Sequence, residues 1–235
     1  MNELYGLIAN VEGMLYLAAS FVYLMLALLL FIAWRRSGPG TWLVFACLAT
    51  VLWASLYSAG FLVPDYDTGA HVLVLESARA LAWTGFIFSI FQSEGKGARH
   101  YSSLSPGLAP TLVASLVIVL NIMLTGLGGA ELLSVTKDAA VRETGFLDKR
   151  LILHISSAVG VLLLLEMLIR RSSGTYRSGI FYLVMALGGQ TLFDLLMFAG
   201  ALFSGMIDPA FMLARPGIAI MVAPFLCIAA SRNSD

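Results

Sequence analysis

Seven apolar runs constrain this chain more than any other feature. A helix rises 1.5 Å per residue, so about 20 apolar residues cross a bilayer core. The runs are Met14–Trp34, Thr41–Val63, Val72–Phe91, Leu108–Leu127, Arg150–Ile169, Gly179–Gly200 and Ala210–Ala230. Turn and charge signals break them: "WRRSGPG", "VPDYDTGA", "QSEGKGARHYSSLSPG", "RRSSGTYRSG" and "FSGMIDPA". Only the connection from Gly128 to Lys149 is long, and its mixed pattern is compatible with a short surface helix. The sequence therefore predicts an all-α, polytopic membrane protein: a seven-transmembrane-helix bundle forming a single domain over residues 1–235.

Composition agrees. Hydrophobic residues make up 59% of the chain and charged residues 12%, too little charge for a soluble domain. The net charge is zero, which leaves no electrostatic footprint for nucleic acid. Cys47 and Cys227 both fall in apolar runs and read as free thiols filling space. Residues Met1 to Glu12 lack the basic leader of a cleavable signal peptide.

Basic residues orient the bundle. Arg35, Arg36, Lys96, Arg99, Arg170, Arg171, Arg177 and Arg232 share one side. The short loops opposite carry Asp65, Asp67 and Asp208 and no Lys or Arg. The positive-inside rule then puts the N-terminus outside and the C-terminus in the cytoplasm. The long loop, with Lys137, Arg142, Lys149 and Arg150 among acids, is the exception.

With direction set, depth follows by counting. Glu76 and Arg79 fall in the outer third of the third run, Asn121 in that of the fourth, and His154 near the outer end of the fifth. Gln190 and Asp194 lie at the middle and outer half of the sixth. Arg215 lies about a turn and a half into the seventh. A charge at the bilayer centre costs about 2.5–3.5 kcal/mol even on the lenient insertion scale, so Arg215 needs a partner. Asp194 or Glu76 is the natural one. Glu76 and Arg79 are spaced i,i+3 and Gln190 and Asp194 i,i+4, so each pair shares a helix face. Two readings stay open: a polar pocket that binds or senses something, and structural glue between helices. Pro216 leaves a carbonyl one turn back without its donor, which suits a cavity or a simple kink. Glu166 stands apart, near the cytoplasmic end beside Arg170 and Arg171, as an inner-face coupling group or a solvated surface pair.

Several chemistries drop out. No Lys lies in the seventh run to form a retinal Schiff base, and no zinc-protease, phosphate-loop or kinase catalytic motif is present. The histidines are His71, His100 and His154, too few for the paired ligands of a membrane cytochrome. No catalytic residue, metal site or cofactor is expected in this chain. Inverted repeats, the mark of many transporters, are not visible, and Gly188–Gly189 reads as a site of close helix packing.

The last third resembles a known family. "LLLLEMLIRR" (Leu162–Arg171), "YLVMALGGQTLFDLLMFAGALF" (Tyr182–Phe203) and "IDPAFMLARPGIAIMVAPFLCIAASRN" (Ile207–Asn233) carry the resemblance. Its distinctive points are Glu166, Phe193–Asp194, Asp208–Pro209, Ala214–Arg215, Pro224 and the terminal Ala-Ser-Arg-Asn. These resemble the N-terminal membrane region of the sensor histidine kinase of the exosortase A/PEP-CTERM system (PrsK-type) of Gram-negative bacteria. The first four runs match only in hydropathy and order. The family reads Ala-Arg-Gly where this chain has Ala214-Arg215-Pro216-Gly217. The resemblance implies an inner-membrane, multi-pass signal-input module of a two-component system, likewise a homodimer. It further implies cytoplasmic kinase domains beyond Asp235 that use ATP, a response regulator as partner, and regulation of exopolysaccharide genes. A small transporter or carrier using the same polar cluster is the alternative, and a membrane enzyme with Glu76, His154 and Asp194 as acid–base groups ranks last.

Overall fold

A computed structural model of the chain describes residues 2–34, 38–63, 69–95, 144–172 and 176–232. Among them are six helices: α1 (Asn2–Trp34), α2 (Gly38–Leu62), α3 (Gly69–Gly95), α4 (Thr144–Arg171), α5 (Tyr176–Ser204) and α6 (Pro209–Arg232). Five contain segments long and apolar enough to cross a membrane: Asn10–Ile32, Gly40–Leu62, Leu151–Arg171, Ser178–Ser204 and Pro209–Ser231. The charged α3 is not among those five, although its 27 residues give it comparable length. The expected fourth run, 108–127, lies outside the described residues, as do Asn121 and most of the long connection. Each helix outruns its predicted run, because a helix satisfies its own backbone polar groups beyond the apolar stretch as well as within it.

Every helix packs on its described neighbours in chain order, and α1 packs on α6, so the six close into a ring. The α3–α4 contact is the slightest of these. The large core joins Tyr23, Leu26, Trp83, Leu164, Leu168, Leu183 and Leu226 with small residues such as Ala46, Ala186, Ala219 and Ala223. Small side chains let the helix backbones approach, which is how packing wins contact where lipid supplies no hydrophobic drive. Large apolar groups such as Phe21, Ile32, Phe203 and Met221 point outward. That is the expected arrangement when the surroundings are apolar too.

Local chemistry sets the α5–α6 corner. Gly205 adopts φ 75 and its N–H bonds the Ala201 carbonyl at 2.8 Å, a left-handed stop for α5. Asp208 then caps α6, its Oδ1 accepting from the Ala210 N–H at 2.8 Å, with Pro209 in the first helical position where no donor is needed. With α6 started there, helix rise puts Arg215 about 9 Å along the axis from Pro209.

The close-packing glycines are not the expected pair. Nothing lies within 4 Å of a Cβ built on Gly189, and Gly188 meets only ordinary contacts. Gly13 and Gly85 are the tight ones, the latter with a built Cβ 2.8 Å from the Trp42 ring. A Cβ on Gly13 would stand 2.7 Å from Leu62 Cγ and 3.0 Å from Phe61 Cβ on α2. Gly13→Ala is expected to destabilise by about 1–3 kcal/mol through overpacking. Gly189→Ala should stabilise by up to about 1 kcal/mol through helix propensity. Thermal denaturation of both variants in detergent checks the pair. The cysteines also differ from expectation: both are free, but only Cys47 is buried, while Cys227 is exposed on α6.

Candidate functional site

Four residues of the predicted polar layer, Glu76, Arg79, Asp194 and Arg215, form a single ion network. Arg215 is 2% exposed and donates from Nε to Asp194 Oδ1 at 2.7 Å and from Nη1 to Glu76 Oε2 at 3.0 Å. Its Nη2 bonds Glu76 Oε1, making a two-pronged grip on that carboxylate. Arg79 Nη2 reaches both acids, Glu76 Oε1 at 3.0 Å and Asp194 Oδ2 at 2.8 Å. Sequence reasoning offered Asp194 or Glu76 as the partner of Arg215. Both are. Two cations and two anions from α3, α5 and α6 therefore neutralise one another inside the bundle.

The i,i+3 spacing puts Glu76 and Arg79 on one face of α3. Asp194 and Gln190 likewise share the inner face of α5, four residues apart. The network sits toward the end of the bundle that carries the α2–α3 and α5–α6 corners. Glu76 is about 10 Å from the start of α3, and Arg215 about 9 Å from the start of α6.

Aromatic residues form its floor and walls. Fully buried Trp53 on α2 donates its indole N–H to Glu76 Oε2 at 2.7 Å. Its ring faces the Arg79 and Arg215 guanidinium carbons at 4.1 and 4.9 Å from the centroid. Such contacts strengthen when water is excluded. Tyr16 of α1 packs edge-on to Trp53 at 5.4 Å and stacks on Tyr57 at 4.8 Å. The Tyr16 hydroxyl donates, at a long 3.4 Å, to the carbonyl of Met212. Met212 is the residue four before Pro216, so its carbonyl is the one that the proline leaves without a helix donor. Pro216 thus sits within a continuous α6, and its orphaned acceptor is met from α1.

His154 on α4 stacks on Phe198 of α5, ring centroids 4.7 Å apart. A cavity of about 70 Å³ opens between α3, α4 and α5, bordered by Glu76, Arg79, Trp83, His154, Ser157, Gln190 and Asp194. The structure thus brings together every predicted member of the layer except Asn121, which is outside the described residues.

Glu166 and Arg170 form a separate surface pair, Nη2 to Oε1 2.7 Å, with side chains 52% and 77% exposed. Arg171 does not join it and lies instead over the Phe91 ring at 5.9 Å. An exposed i,i+4 pair contributes about 0.3–0.5 kcal/mol. Glu166→Gln is accordingly expected to leave the unfolding midpoint nearly unchanged.

Sequence reasoning missed Trp53, Tyr16, Tyr57, Phe198 and Glu12. Glu12 was placed before the first run, yet it is buried on α1 with Oε1 unpartnered among the described residues. The aromatic spacing Trp53, Tyr57, Phe61, each four apart on one helix face, was the available signal. No group of His, Cys, Asp and Glu suited to a metal ion occurs among the described residues. Comparison with protein-family models, with curated proteins and with solved structures finds no match to this chain.

Proposed function

We propose that this chain is the membrane signal-input module of a two-component sensor histidine kinase. In this reading it crosses the inner membrane seven times, with the N-terminus outside and the polar layer toward the outer face. It acts as a homodimer whose ATP-dependent kinase domains follow on the cytoplasmic side and pass phosphate to a response regulator. The family resemblance of the last third suggests the output. One observation supports the input: a neutralised four-charge network joins three helices beside a cavity. Such a network has discrete pairings, since Arg79 reaches both acids through one nitrogen. A ligand that changes the pairing biases one arrangement over another, and α6 carries the change along its 24 residues toward the other face.

The test is phosphotransfer to the response regulator from membranes containing the complete gene product. Arg215→Ala and Asp194→Ala are each expected to change stimulus-dependent output by about tenfold or more at normal membrane levels, a coupling of about 1.4 kcal/mol. Wild-type output in both sinks the reading. Substrate uptake into proteoliposomes that depends on Asp194 replaces it with a carrier.

A further inference from the structure

The ion network leaves three buried polar atoms over, and their side chains border one cavity. Every carboxylate oxygen is engaged. Glu76 Oε1 accepts from Arg79 and Arg215, Glu76 Oε2 accepts from Trp53 and Arg215, and Asp194 accepts from Arg215 at Oδ1 and from Arg79 at Oδ2. Arg79 meets both acids with Nη2 alone, so its Nη1 has no partner among the described residues. Neither has His154 Nε2 or Gln190 Oε1. Arg79, His154 and Gln190 are 5%, 7% and 7% exposed, and all three line the cavity between α3, α4 and α5. Native proteins leave few such atoms unsatisfied, so a polar occupant belongs there. About 70 Å³ holds roughly two waters, or one molecule of about four non-hydrogen atoms.

Charge narrows the class. The two arginines and two carboxylates already cancel. An anion would suit Arg79 Nη1 but confront Gln190 Oε1 and Asp194. A cation would suit Gln190 Oε1 but confront Arg79. Either leaves a net charge buried, which is costly. A neutral molecule with one carbonyl-type acceptor and one N–H donor satisfies Arg79 and Gln190 together. His154 Nε2 then accepts or donates according to its tautomer. Trp83, Leu187 and Phe198 supply apolar wall for a methyl group.

We propose that this cavity binds a small neutral molecule of the amide or urea class, held by Arg79, Gln190 and His154. The inference rests on the proposed reading of the layer as an input pocket for its purpose, not for its binding chemistry.

The probe is acetamide, titrated into the purified chain in lipid nanodiscs with ¹⁵N-labelled histidine. The His154 signal, identified by its loss in His154→Gln, should shift saturably with a midpoint of about 0.1–10 mM, the scale open to so small a ligand. Formate and ammonium should give no saturable shift. Ala158 lines the cavity, and Ala158→Leu should keep the helical fold while abolishing saturation. Ala80→Leu, from the α3 wall, gives the same reading where Ala158→Leu does not fold. A linear acetamide response overturns the proposal, as does saturation that survives both Leu variants or is matched by formate or ammonium. So does a His154–water contact that persists at the highest acetamide concentration, which marks a water-filled chamber. Saturable binding with unaltered phosphotransfer overturns the sensory reading and leaves the binding site standing.

Discussion

Arg215→Ala is expected to destabilise the bundle by about 3–5 kcal/mol, the cost of breaking a buried charge pair by removing one partner. Arg215 donates to both acids and is itself almost wholly buried. Without it, Glu76 and Asp194 share Arg79, and one negative charge stays uncompensated. The sign of the charge imbalance, more than the number of lost hydrogen bonds, sets the size of the effect. A double change, Arg215→Ala with Asp194→Asn, restores neutrality and leaves Glu76 and Arg79 paired. It is expected to be less destabilised than either single change. Equilibrium unfolding in detergent micelles measures all four proteins of the cycle. A single Arg215→Ala within about 1 kcal/mol of wild type would show that water or lipid headgroups already screen the network.

Trp53→Ala is the second large effect, again about 3–5 kcal/mol. The side chain is completely buried, donates to Glu76, and offers its ring to two guanidinium groups. Trp53→Phe separates these contributions, because it keeps an aromatic face and removes the donor. Its expected cost is about 1.5–3 kcal/mol, the range for a hydrogen bond to a charged group. Thermal unfolding should rank wild type above Phe and Phe above Ala. Equal losses in the two variants would mean that the ring contributes nothing beyond its N–H.

Depth was legible in the sequence, and rotation was not. A fixed rise per residue let counting alone place Glu76, Arg79, His154, Gln190, Asp194 and Arg215 at one level. Ion pairs join four of them, and His154 and Gln190 border the cavity beside those four. Spacing likewise identified which polar residues share a face. Which apolar residues turn inward could not be read, because helices such as α2 and α6 are apolar on all sides and carry no amphipathic stripe. Tyr16 was therefore invisible as a member of the site, Trp53 showed only in its four-residue spacing to Tyr57 and Phe61, and Gly188–Gly189 was mistaken for the close contacts that Gly13 and Gly85 make. The Met212 carbonyl shows the middle case. Sequence showed that Pro216 orphans a carbonyl one turn back, but only the ring closure between α1 and α6 brings Tyr16 to it.

The pairing of Glu76 with Arg79 inside one helix has a consequence for biogenesis. In the proposed seven-span reading, α3 enters the membrane before its later partners are made, and two lone charges would resist that insertion. Placed one turn apart and in contact, they can enter as a neutral unit. Asp194 arrives next with α5 and tips the balance to one excess negative charge. Arg215, on the last described helix, removes it. In that reading the network carries one excess negative charge until α6 is in place, and Arg215 is the residue that completes its neutralisation.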